Sequence, residues 1–317
     1  MNGKHILITG ISGFLGRHLR QLLKKRFPLC TITGVGRNSC ETHSEDTFYK
    51  IDLLNEVEVY DLICGIKPDY VFHLAGLVFS YDWESLYNNN VTATVNLLEA
   101  IKKSNIKTQV TITGSAAEYG AVSLENLPIE ESYLSIPKSP YGLTKLWQTD
   151  IGRYYNTATT PVSIARIFNV IAYDTAPKLS TGDLFTQLQR IAQHMQEPYV
   201  FAGNFQIKRD FLDVSDACAA LISIAKSGKP GNIYNVCSGH SISLKNILNL
   251  ALSVSGLTVE MVIDESRVQN AYVMDIYGCN EKIKRDTHWR PVVTMQDSIK
   301  KALRLPCSET YSDEVLL

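Results

Sequence analysis

Short apolar runs alternate with amphipathic stretches along the first two-thirds of the chain. β-Branched and aromatic residues fill the runs, and apolar residues at helical spacing, such as Leu15, Leu19 and Leu22, follow them. This alternation of strands and helices is typical of a parallel sheet with helices on both faces. The predicted strands are residues 5–9, 31–36, 48–51, 70–74, 109–113 and 162–167.

The pattern becomes less regular after residue 168. A polar loop at 173–181 precedes a helix predicted at 184–195, and a late strand is predicted at 232–236. A chain of 317 residues is long enough for a large α/β domain and part of another. We therefore predict an α/β fold, in which a doubly wound parallel sheet of the Rossmann type is joined by a smaller C-terminal α/β domain.

The composition argues against several kinds of partner. A formal net charge of −1 gives no electrostatic reason to expect nucleic acid or an anionic membrane surface. The seven cysteines form no CxxC pair, which favours reduced thiols and no metal site. The sequence has no apolar stretch of about 18 residues and no signal-peptide pattern at its start. We therefore expect a cytoplasmic protein with no metal.

A glycine-rich loop follows the first predicted strand and opens an amphipathic helix, which is the context of a dinucleotide-binding loop. Gly10 would permit the tight turn, Gly13 would let backbone amides approach a pyrophosphate, and Gly16 would let the helix pack closely on the sheet. The helix N-terminus would then face the phosphates. The predicted cofactor residues of this loop are Gly10, Ser12, Gly13, Phe14, Leu15 and Gly16.

The end of the second strand bears on the choice of dinucleotide. An acidic residue there would bind the ribose hydroxyls of NAD, but this strand ends in Gly36-Arg37-Asn38. Arg37 suits a 2′-phosphate, and an ordinary surface arginine is the alternative. We predict NADP(H) as the preferred cofactor, with NAD(H) as the other option. The cofactor residues predicted after the next two strands are Asp52, Leu53, Leu74, Ala75 and Gly76.

Tyr141 and Lys145 lie four residues apart in the run Ser139-Pro140-Tyr141-Gly142-Leu143-Thr144-Lys145. Side chains at this spacing share a helix face. An ammonium there can stabilise a phenolate and lower a phenol pKa of about 10 towards neutral pH. The pair predicts a proton donor for a carbonyl substrate, and a solvated surface pair is the alternative.

With the glycine loop and the run Thr113-Gly114-Ser115-Ala116-Ala117-Glu118-Tyr119-Gly120, the chain resembles the extended short-chain dehydrogenase/reductases that act on nucleotide sugars. Further matches lie at 208–216, at 231–239 and at Trp289-Arg290-Pro291. The second half is most similar to the reductases of GDP-4-keto-6-deoxy-D-mannose. The resemblance implies a dinucleotide-binding domain of residues 1–168 plus about 210–238. It also implies a nucleotide-sugar-binding domain of 169–209 and 239–305, followed by a tail at 306–317.

The resemblance also implies three catalytic residues. Ser115 would hydrogen-bond the substrate carbonyl, Tyr141 would donate a proton to the developing alkoxide, and Lys145 would lower the pKa of Tyr141 and hold the nicotinamide ribose. Asn90 resembles a structural asparagine of the family.

The two residues after Ser115 narrow the reaction. The family's dehydratases carry an Asp-Glu pair there, and its fucose-synthase branch carries a cysteine at the second position, whereas Ala116 and Ala117 cannot transfer a proton. A 4-ketoreductase is therefore the preferred prediction. A 4-epimerase with tightly bound NAD is the main alternative. A non-catalytic NAD(P)-binding regulator and a reductase of small carbonyl compounds are further ones.

The resemblance implies a nucleotide-diphosphate sugar as substrate, with a GDP-linked sugar favoured. Arg209 would fork onto the diphosphate, unless it forms a salt bridge with Asp210 or Asp213. The family's second arginine aligns with residues 269–272, which contain none, and Arg267 is a substitute. Tyr81 could touch the sugar. The predicted substrate residues are Ser80, Ser115, Asn169, Arg209 and Arg267.

The resemblance finally implies a homodimer. Family members pair subunits in a four-helix bundle through helices that correspond to about 91–102 and 141–155 of this chain. The second of these helices carries an apolar face formed by Leu143, Leu146, Trp147 and Ile151. The alternative is that this face packs only on its own sheet.

Overall fold

A parallel sheet of seven strands lies at the centre of the computed structural model, which describes residues 1–37, 46–80, 82–267 and 274–304. The strands, in chain order, are β1 (His5–Thr9), β2 (Thr31–Gly36), β3 (Thr47–Lys50), β4 (Tyr70–His73), β5 (Gln109–Ser115), β6 (Val162–Ile167), β7 (Asn169–Ile171), β8 (Tyr199–Ala202), β9 (Lys208–Arg209), β10 (Phe211–Asp213), β11 (Ile233–Val236), β12 (Ile242–Ser243), β13 (Glu260–Ile263) and β14 (Asp275–Ile276).

The helices, in chain order, are α1 (Phe14–Arg26), α2 (Glu56–Ile66), α3 (Trp83–Tyr87), α4 (Ala93–Ser104), α5 (Pro140–Tyr154), α6 (Ser180–Ala192), α7 (Val214–Ser227), α8 (Leu244–Ser255), α9 (Glu281–Thr287) and α10 (Met295–Ala302). A π-helical turn at Asn88–Thr92 precedes α4, and a 3₁₀ turn at Ala116–Glu118 follows β5. Among the described residues, no helix is both long and apolar enough to cross a membrane.

The strand order of the main sheet is β11-β6-β5-β4-β1-β2-β3, and every neighbouring pair is parallel. From β1 the chain builds outwards to β3 and then returns to β4 on the other side of β1. The loops after β1 and β4 therefore diverge. A crevice opens at such a switch point, and ligands of doubly wound sheets bind there.

Helices cover both faces of this sheet because successive side chains of a strand point to opposite sides. Ile6 and Ile8 of β1 belong to the core under α1 and α7, whereas Leu7 belongs to the core under α2 and α4. All three side chains are fully buried. The predicted doubly wound parallel sheet is confirmed.

The later part of the chain adds three small sheets, ordered β10-β7, β12-β9-β14 and β13-β8. Helices α6, α8 and α10 enclose a separate apolar core that includes Leu184, Phe185, Leu248 and Ile299. Strands β7 and β9 of these small sheets carry Asn169 and Arg209. This group of elements therefore brings two predicted substrate residues to the sheet edge.

The predicted strands match the structure with small shifts. The strand predicted at 109–113 continues to Ser115, so the serine ends β5, and the one predicted at 48–51 lies one residue earlier. The helix predicted at 184–195 begins earlier, at Ser180, and ends at Ala192. Tyr81, the segment 269–272 and the tail at 306–317 lie outside the described residues. The division into two domains stays a prediction.

Candidate active site

The loop between β1 and α1 leaves no room for side chains at its glycines. Gly10 has φ +70°, and a Cβ there would lie 2.8 Å from the backbone nitrogen of Ala75. A Cβ on Gly16 would lie 2.3 Å from the carbonyl oxygen of Gly10, so α1 packs directly on the loop. The first turn of α1 contains no acidic residue, which leaves its N-terminus favourable for an anion. These features fit the pyrophosphate of a dinucleotide.

A cavity of about 200 Å³ lies beside this loop, between the ends of β1, β2 and β4. Arg37 lines it, and no carboxylate among the described residues pairs with this arginine. The cavity is therefore suited to an adenosine that carries a 2′-phosphate. The other predicted cofactor residues in its wall are Gly10, Ser12, Gly13, Asp52, Leu53, Leu74, Ala75 and Gly76.

A larger cavity of about 470 Å³ continues from the first, and Leu74 and Gly76 line both. Its wall combines the ends of β5, β6 and β9 with the start of α5. One continuous crevice can therefore hold an extended ligand. The predicted site residues that line the larger cavity are Phe14, Leu15, Ser115, Tyr141, Lys145, Asn169 and Arg209, beside Leu74 and Gly76.

The start of α5 places Tyr141 and Lys145 on the cavity. Ser139 caps the helix by accepting a hydrogen bond from the Gly142 nitrogen at 3.0 Å, and Pro140 occupies the first turn. A Cβ on Gly142 would lie 2.5 Å from the carbonyl oxygen of Ala117, so α5 lies close against the turn after β5. This contact sets the phenol and the serine hydroxyl on the same wall.

Lys145 is 5% exposed and donates hydrogen bonds to the Thr113 carbonyl and to the Gln148 side chain. Gln148 Nε2 donates in turn to Thr94 Oγ1 at 2.8 Å, and Thr94 Oγ1 lies 2.9 Å from His73 Nε2. Burial lowers the pKa of Lys145 to about 8, against an opposing effect of a nearby carboxylate. Burial, with the charge of Lys145, also lowers the pKa of His73 to about 3, so the imidazole is neutral.

Tyr141 behaves differently from the sequence prediction. Burial raises the pKa of its phenol, a hydrogen bond with Ser115 lowers it, and the charge of Glu118 raises it. The direction is opposite to the predicted lowering by Lys145, because desolvation of the phenolate outweighs the other effects. Tyr141 is consequently a neutral phenol at physiological pH, which is the form that can donate a proton.

Ser115 ends β5 and caps the short turn that follows. Its side-chain oxygen accepts a hydrogen bond from the Ala117 nitrogen at 3.2 Å, while Glu118 Oε1 accepts one from the Ser115 nitrogen at 2.7 Å. The serine hydroxyl can therefore direct its own proton elsewhere. Sequence reasoning gave no role to Glu118. Its one sequence signal was the spacing of a capping box.

Arg209 and Asn169 also line the larger cavity. Arg209 is partly buried, and its side chain donates to the carbonyl oxygen of Lys208 at 2.7 Å. Burial lowers the pKa of this guanidinium. Among the described residues no salt bridge to Arg209 is found, so the alternative pairing with Asp210 or Asp213 does not occur. Asp210 instead accepts hydrogen bonds from residues 238, 239 and 278.

Three predicted residues do not line either cavity of the described chain. Arg267 pairs with Asp183 at 2.6 Å and with Asp264 at 2.9 Å. Ser80 accepts a hydrogen bond from the Asp82 nitrogen at 3.0 Å. Gly16 packs beneath the glycine loop.

Asn90 lines the larger cavity and connects the loop after β4 to α5. Its Oδ1 accepts a hydrogen bond from the Leu77 nitrogen at 2.7 Å, and its Nδ2 donates one to Thr144 at 2.9 Å.

Known proteins match the chain over nearly its whole length. The family model described as GDP-mannose 4,6 dehydratase matches residues 7–302. GDP-6-deoxy-D-mannose reductase of Pseudomonas aeruginosa is 28% identical over 305 residues, which cover 95% of this chain and 96% of that protein. UDP-glucose 4-epimerase 2 of Oryza sativa subsp. japonica is 27% identical over 322 residues, covering 90% and 77%. The structure of RMD from Pseudomonas aeruginosa complexed with NADPH has a TM-score of 0.83 at 26% identity, covering 95% and 98%.

Proposed function

The chain belongs to the GDP-mannose 4,6 dehydratase family, and we propose that it is an NADPH-dependent reductase of a nucleotide-linked 4-keto-6-deoxyhexose. The observation that carries this proposal is the larger cavity, which Ser115, Tyr141 and Lys145 line together with Arg209 and Asn169. The first three residues offer groups that act on a carbonyl, and the other two offer groups that bind a diphosphate. A nucleotide-linked ketosugar has both features.

The protein's own groups perform the proton chemistry of this proposal. When bound, the nicotinamide supplies the hydride for C4 of the sugar. The Ser115 hydroxyl, whose oxygen accepts from Ala117, donates to the carbonyl oxygen of the substrate. Tyr141 then gives its proton to the developing alkoxide, and the ammonium of Lys145 stabilises the negative charge beside it and holds the nicotinamide ribose.

The substrate end of the cavity supports a sugar that carries a diphosphate. Arg209 presents a planar guanidinium that can bind two phosphate oxygens at once. Among the described residues it forms no salt bridge, and Asp275, whose charge acts on it, pairs with Lys208. Asn169 adds a polar contact on the same wall. The similarity to GDP-6-deoxy-D-mannose reductase favours a GDP-linked substrate.

The smaller cavity supports NADPH over NADH. Arg37 follows β2 at the position where an acidic residue would bind the ribose hydroxyls of NAD, and it lines the wall with Ser12. A 2′-phosphate would be attracted by this arginine, and the described end of β2, at Gly36 and Arg37, carries no carboxylate. The NADPH complex of the structurally similar Pseudomonas protein agrees with this preference.

A 4-epimerase is the second candidate function. It would use the same serine, tyrosine and lysine, and the similarity to UDP-glucose 4-epimerase 2 favours it. Such an enzyme would purify with NAD bound and would need none added. A 4,6-dehydratase is disfavoured although the family model carries that description, because Ala116 and Ala117 line the cavity where an acid and a base would be needed.

A substrate screen tests these proposals. The purified protein would be incubated with GDP-, dTDP-, UDP- and CDP-linked 4-keto-6-deoxysugars, each with NADPH and with NADH. We expect NADPH oxidation in proportion to ketosugar, fastest with the GDP-linked compound. Conversion of a UDP-sugar to its 4-epimer without added cofactor would favour the epimerase. Tight NADPH binding with no turnover of any sugar would favour a non-catalytic regulator.

We also propose that the protein is a homodimer that pairs through α4 and α5. The outer face of α5 carries Leu143, Leu146, Trp147 and Ile151, and all four side chains are only partly buried within the protomer. A second copy would cover this apolar face.

A further inference from the structure

Glu118 is a fully buried carboxylate directly behind the catalytic wall. All of its hydrogen-bond partners are donors: Oε1 accepts from the Ser115 nitrogen at 2.7 Å, and Oε2 accepts from Thr149 Oγ1 at 3.0 Å and from Arg166 Nε and NH2 at 3.0 and 2.7 Å. Burial raises the pKa of Glu118 overall, although the charge of Arg166 and the hydrogen bond from the Ser115 nitrogen act in the opposite direction. Because every partner of the group is a donor, it acts as an ionised acceptor. The proposed reaction gives this group no part.

The local backbone is built to receive this side chain. Gly114 pairs with Arg166 in the β5–β6 register, and a Cβ on Gly114 would lie 2.5 Å from Glu118 Oε1. The absence of a side chain at 114 thus opens the space in which the carboxylate meets the guanidinium. Arg166 is 2% exposed and is held from its other side by the ring of Tyr119, whose centroid lies 4.4 Å away.

The contact between Glu118 and the Ser115 backbone has a geometric consequence in the cavity. It closes a capping box, in which Ser115 Oγ is engaged as an acceptor by the Ala117 nitrogen. With that lone pair occupied, the serine hydroxyl hydrogen is left to point away from the turn. Ser115 and Tyr141 both line the cavity, and a hydrogen bond between their side chains acts on the phenol.

Titratable groups on each of the elements around Glu118 face its carboxylate. Arg166 lies on β6, Lys145 and Tyr141 lie on α5, and Tyr119 follows in the same turn. Burial lowers the pKa of the Arg166 guanidinium, but the attraction of the Glu118 carboxylate raises it, and overall this pKa is raised. Lys145 Nζ donates to the Thr113 carbonyl, and Glu118 Oε1 accepts from the Ser115 nitrogen two residues further along β5, so the ammonium and the carboxylate contact the same stretch of strand. Burial lowers the pKa of Lys145, and the carboxylate of Glu118 works against that lowering. The charge of Glu118 also raises the pKa of Tyr141, by less than burial does.

We propose that Glu118 is a positioning residue for the reaction: its carboxylate holds the Ser115 backbone so that the serine hydroxyl donates into the cavity, and its negative charge supports the ammonium of Lys145. The part of this inference that concerns turnover rests on the proposed function. The part that concerns Lys145 does not, because its charge state can be measured without any substrate.

The first experiment titrates Lys145 by NMR in protein labelled with ¹³C-lysine, in which the Lys145 signal is identified by its loss in Lys145→Arg. We expect a midpoint near pH 8 in the wild type. In Glu118→Gln we expect it about one pH unit lower or more, because the carboxylate that opposes the effect of burial on Lys145 is gone. The matched control is Glu131→Gln, which changes a partly buried glutamate that also accepts a backbone N–H, from Asn235 at 2.8 Å. Its midpoint should equal that of the wild type.

An unchanged Lys145 midpoint in Glu118→Gln would overturn the proposal. Removing Glu118 leaves Arg166 buried and unpaired, which can prevent folding. The double variant Glu118→Gln/Arg166→Met removes both charges. It therefore leaves no unpaired buried charge and still tests the effect of Glu118 on the pKa of Lys145. A lowered midpoint in that variant supports the proposal, and an unchanged one overturns it.

The second experiment follows turnover of the best ketosugar from the screen. In Glu118→Gln we expect kcat to fall by about 10-fold to 100-fold with KM little changed, because the serine hydroxyl is misdirected in the transition state. The alkaline decline of the rate should also move to lower pH. Equal loss at every pH, with an unshifted decline, would indicate a merely structural role and overturn the proposal. If the wild type turns over no ketosugar, the proposed function fails, whereas the lysine titration still decides the role of Glu118.

Discussion

The phenol and the ammonium of the active site are displaced from their ordinary pKa values in opposite directions by the same cause, burial. The pKa of Tyr141 is raised, so the phenol keeps its proton across the neutral range. The pKa of Lys145 falls to about 8, so the lysine is the group that changes charge near physiological pH. In the proposed reduction the ammonium is the active form, so the measured rate should decline as the pH rises through about 8.

Replacing Tyr141 by Phe removes the proton donor while it keeps the ring. We expect kcat for ketosugar reduction to fall by about 100-fold to 10,000-fold, which is the usual contribution of a general acid. The dissociation constant of NADPH should change little. Both quantities can be followed by NADPH fluorescence. Tyr199→Phe is the control, because Tyr199 is 40% exposed on β8 and lines neither cavity. Unchanged turnover in Tyr141→Phe would refute the mechanism.

Arg37 should decide the choice between the two dinucleotides. A hydrogen bond to a charged group contributes about 1.5–3 kcal/mol. We therefore expect Arg37→Ala to weaken NADPH binding by about 10-fold to 150-fold and to leave NADH binding unchanged. Isothermal titration with each cofactor measures this. Arg153→Ala, at an exposed position on α5, should alter neither affinity. An equal loss for both cofactors would show that Arg37 does not contact the 2′-phosphate.

At the scale of elements, the close packing of α1 on the glycine loop depends on the absence of a side chain at Gly16. A methyl group at Gly16 would meet the Gly10 carbonyl oxygen at 2.3 Å, so Gly16→Ala must displace the helix from the loop. We expect a loss of about 1–3 kcal/mol in the free energy of unfolding and a severe loss of NADPH affinity. Gly65→Ala in α2 is the matched control, because no atom lies within 4 Å of its added methyl group.

Urea unfolding and NADPH titration of both glycine variants separate packing from helix propensity. Gly65→Ala should stabilise the protein by about 0.5–1 kcal/mol, since alanine restricts the unfolded chain and favours the helix. If Gly16→Ala behaved in the same way as Gly65→Ala, the close contact between α1 and the loop would not be needed for the cofactor.

The elements could be predicted from the sequence wherever one local signal specified them. β1, β2 and β6 have the predicted bounds, because each is a short apolar run between polar or glycine residues. β5 ends at Ser115, two residues later than predicted, because it continues past its apolar run through Gly114. The crevice itself follows from strand order, which strand signals alone do not encode.

The buried polar partners could not be predicted in the same way. Gln148, Thr94 and His73 reach Lys145 as a hydrogen-bonded chain across three elements that are far apart in sequence. In the sequence such residues look like an ordinary solvated surface. Glu118 was equally hidden, because only the register of β5 and β6 brings Arg166 beside it. Arg267 illustrates the reverse: its charge suggested a phosphate contact, but nearby carboxylates pair with it.

For the whole molecule, the aromatic cluster beside α5 suggests how two copies meet. The rings of Trp83 and Tyr87 pack edge-on against Trp147, with centroids 5.8 and 6.0 Å away. Trp83 remains 43% exposed and Tyr87 41% exposed. Tyr154 lies further along the same helix and is 78% exposed. So much exposed aromatic surface beside the apolar face of α5 is typical of an interface rather than of a solvated helix.

A charge in the middle of that face should separate the subunits. Trp147→Glu would bury a carboxylate without a partner in the dimer, whereas in the monomer the same carboxylate can reach water. We expect sedimentation velocity at micromolar concentration to give a dimer for the wild type and a monomer for the variant. Leu29→Glu is the control, because Leu29 is 73% exposed between α1 and β2 and far from α5 in sequence.

A monomeric wild type would refute the homodimer. A dimeric, folded Trp147→Glu would mean that the subunits pair through another surface. Since α5 also carries Tyr141 and Lys145, dissociation should reduce turnover as well, if pairing is what holds the start of this helix against the turn after β5.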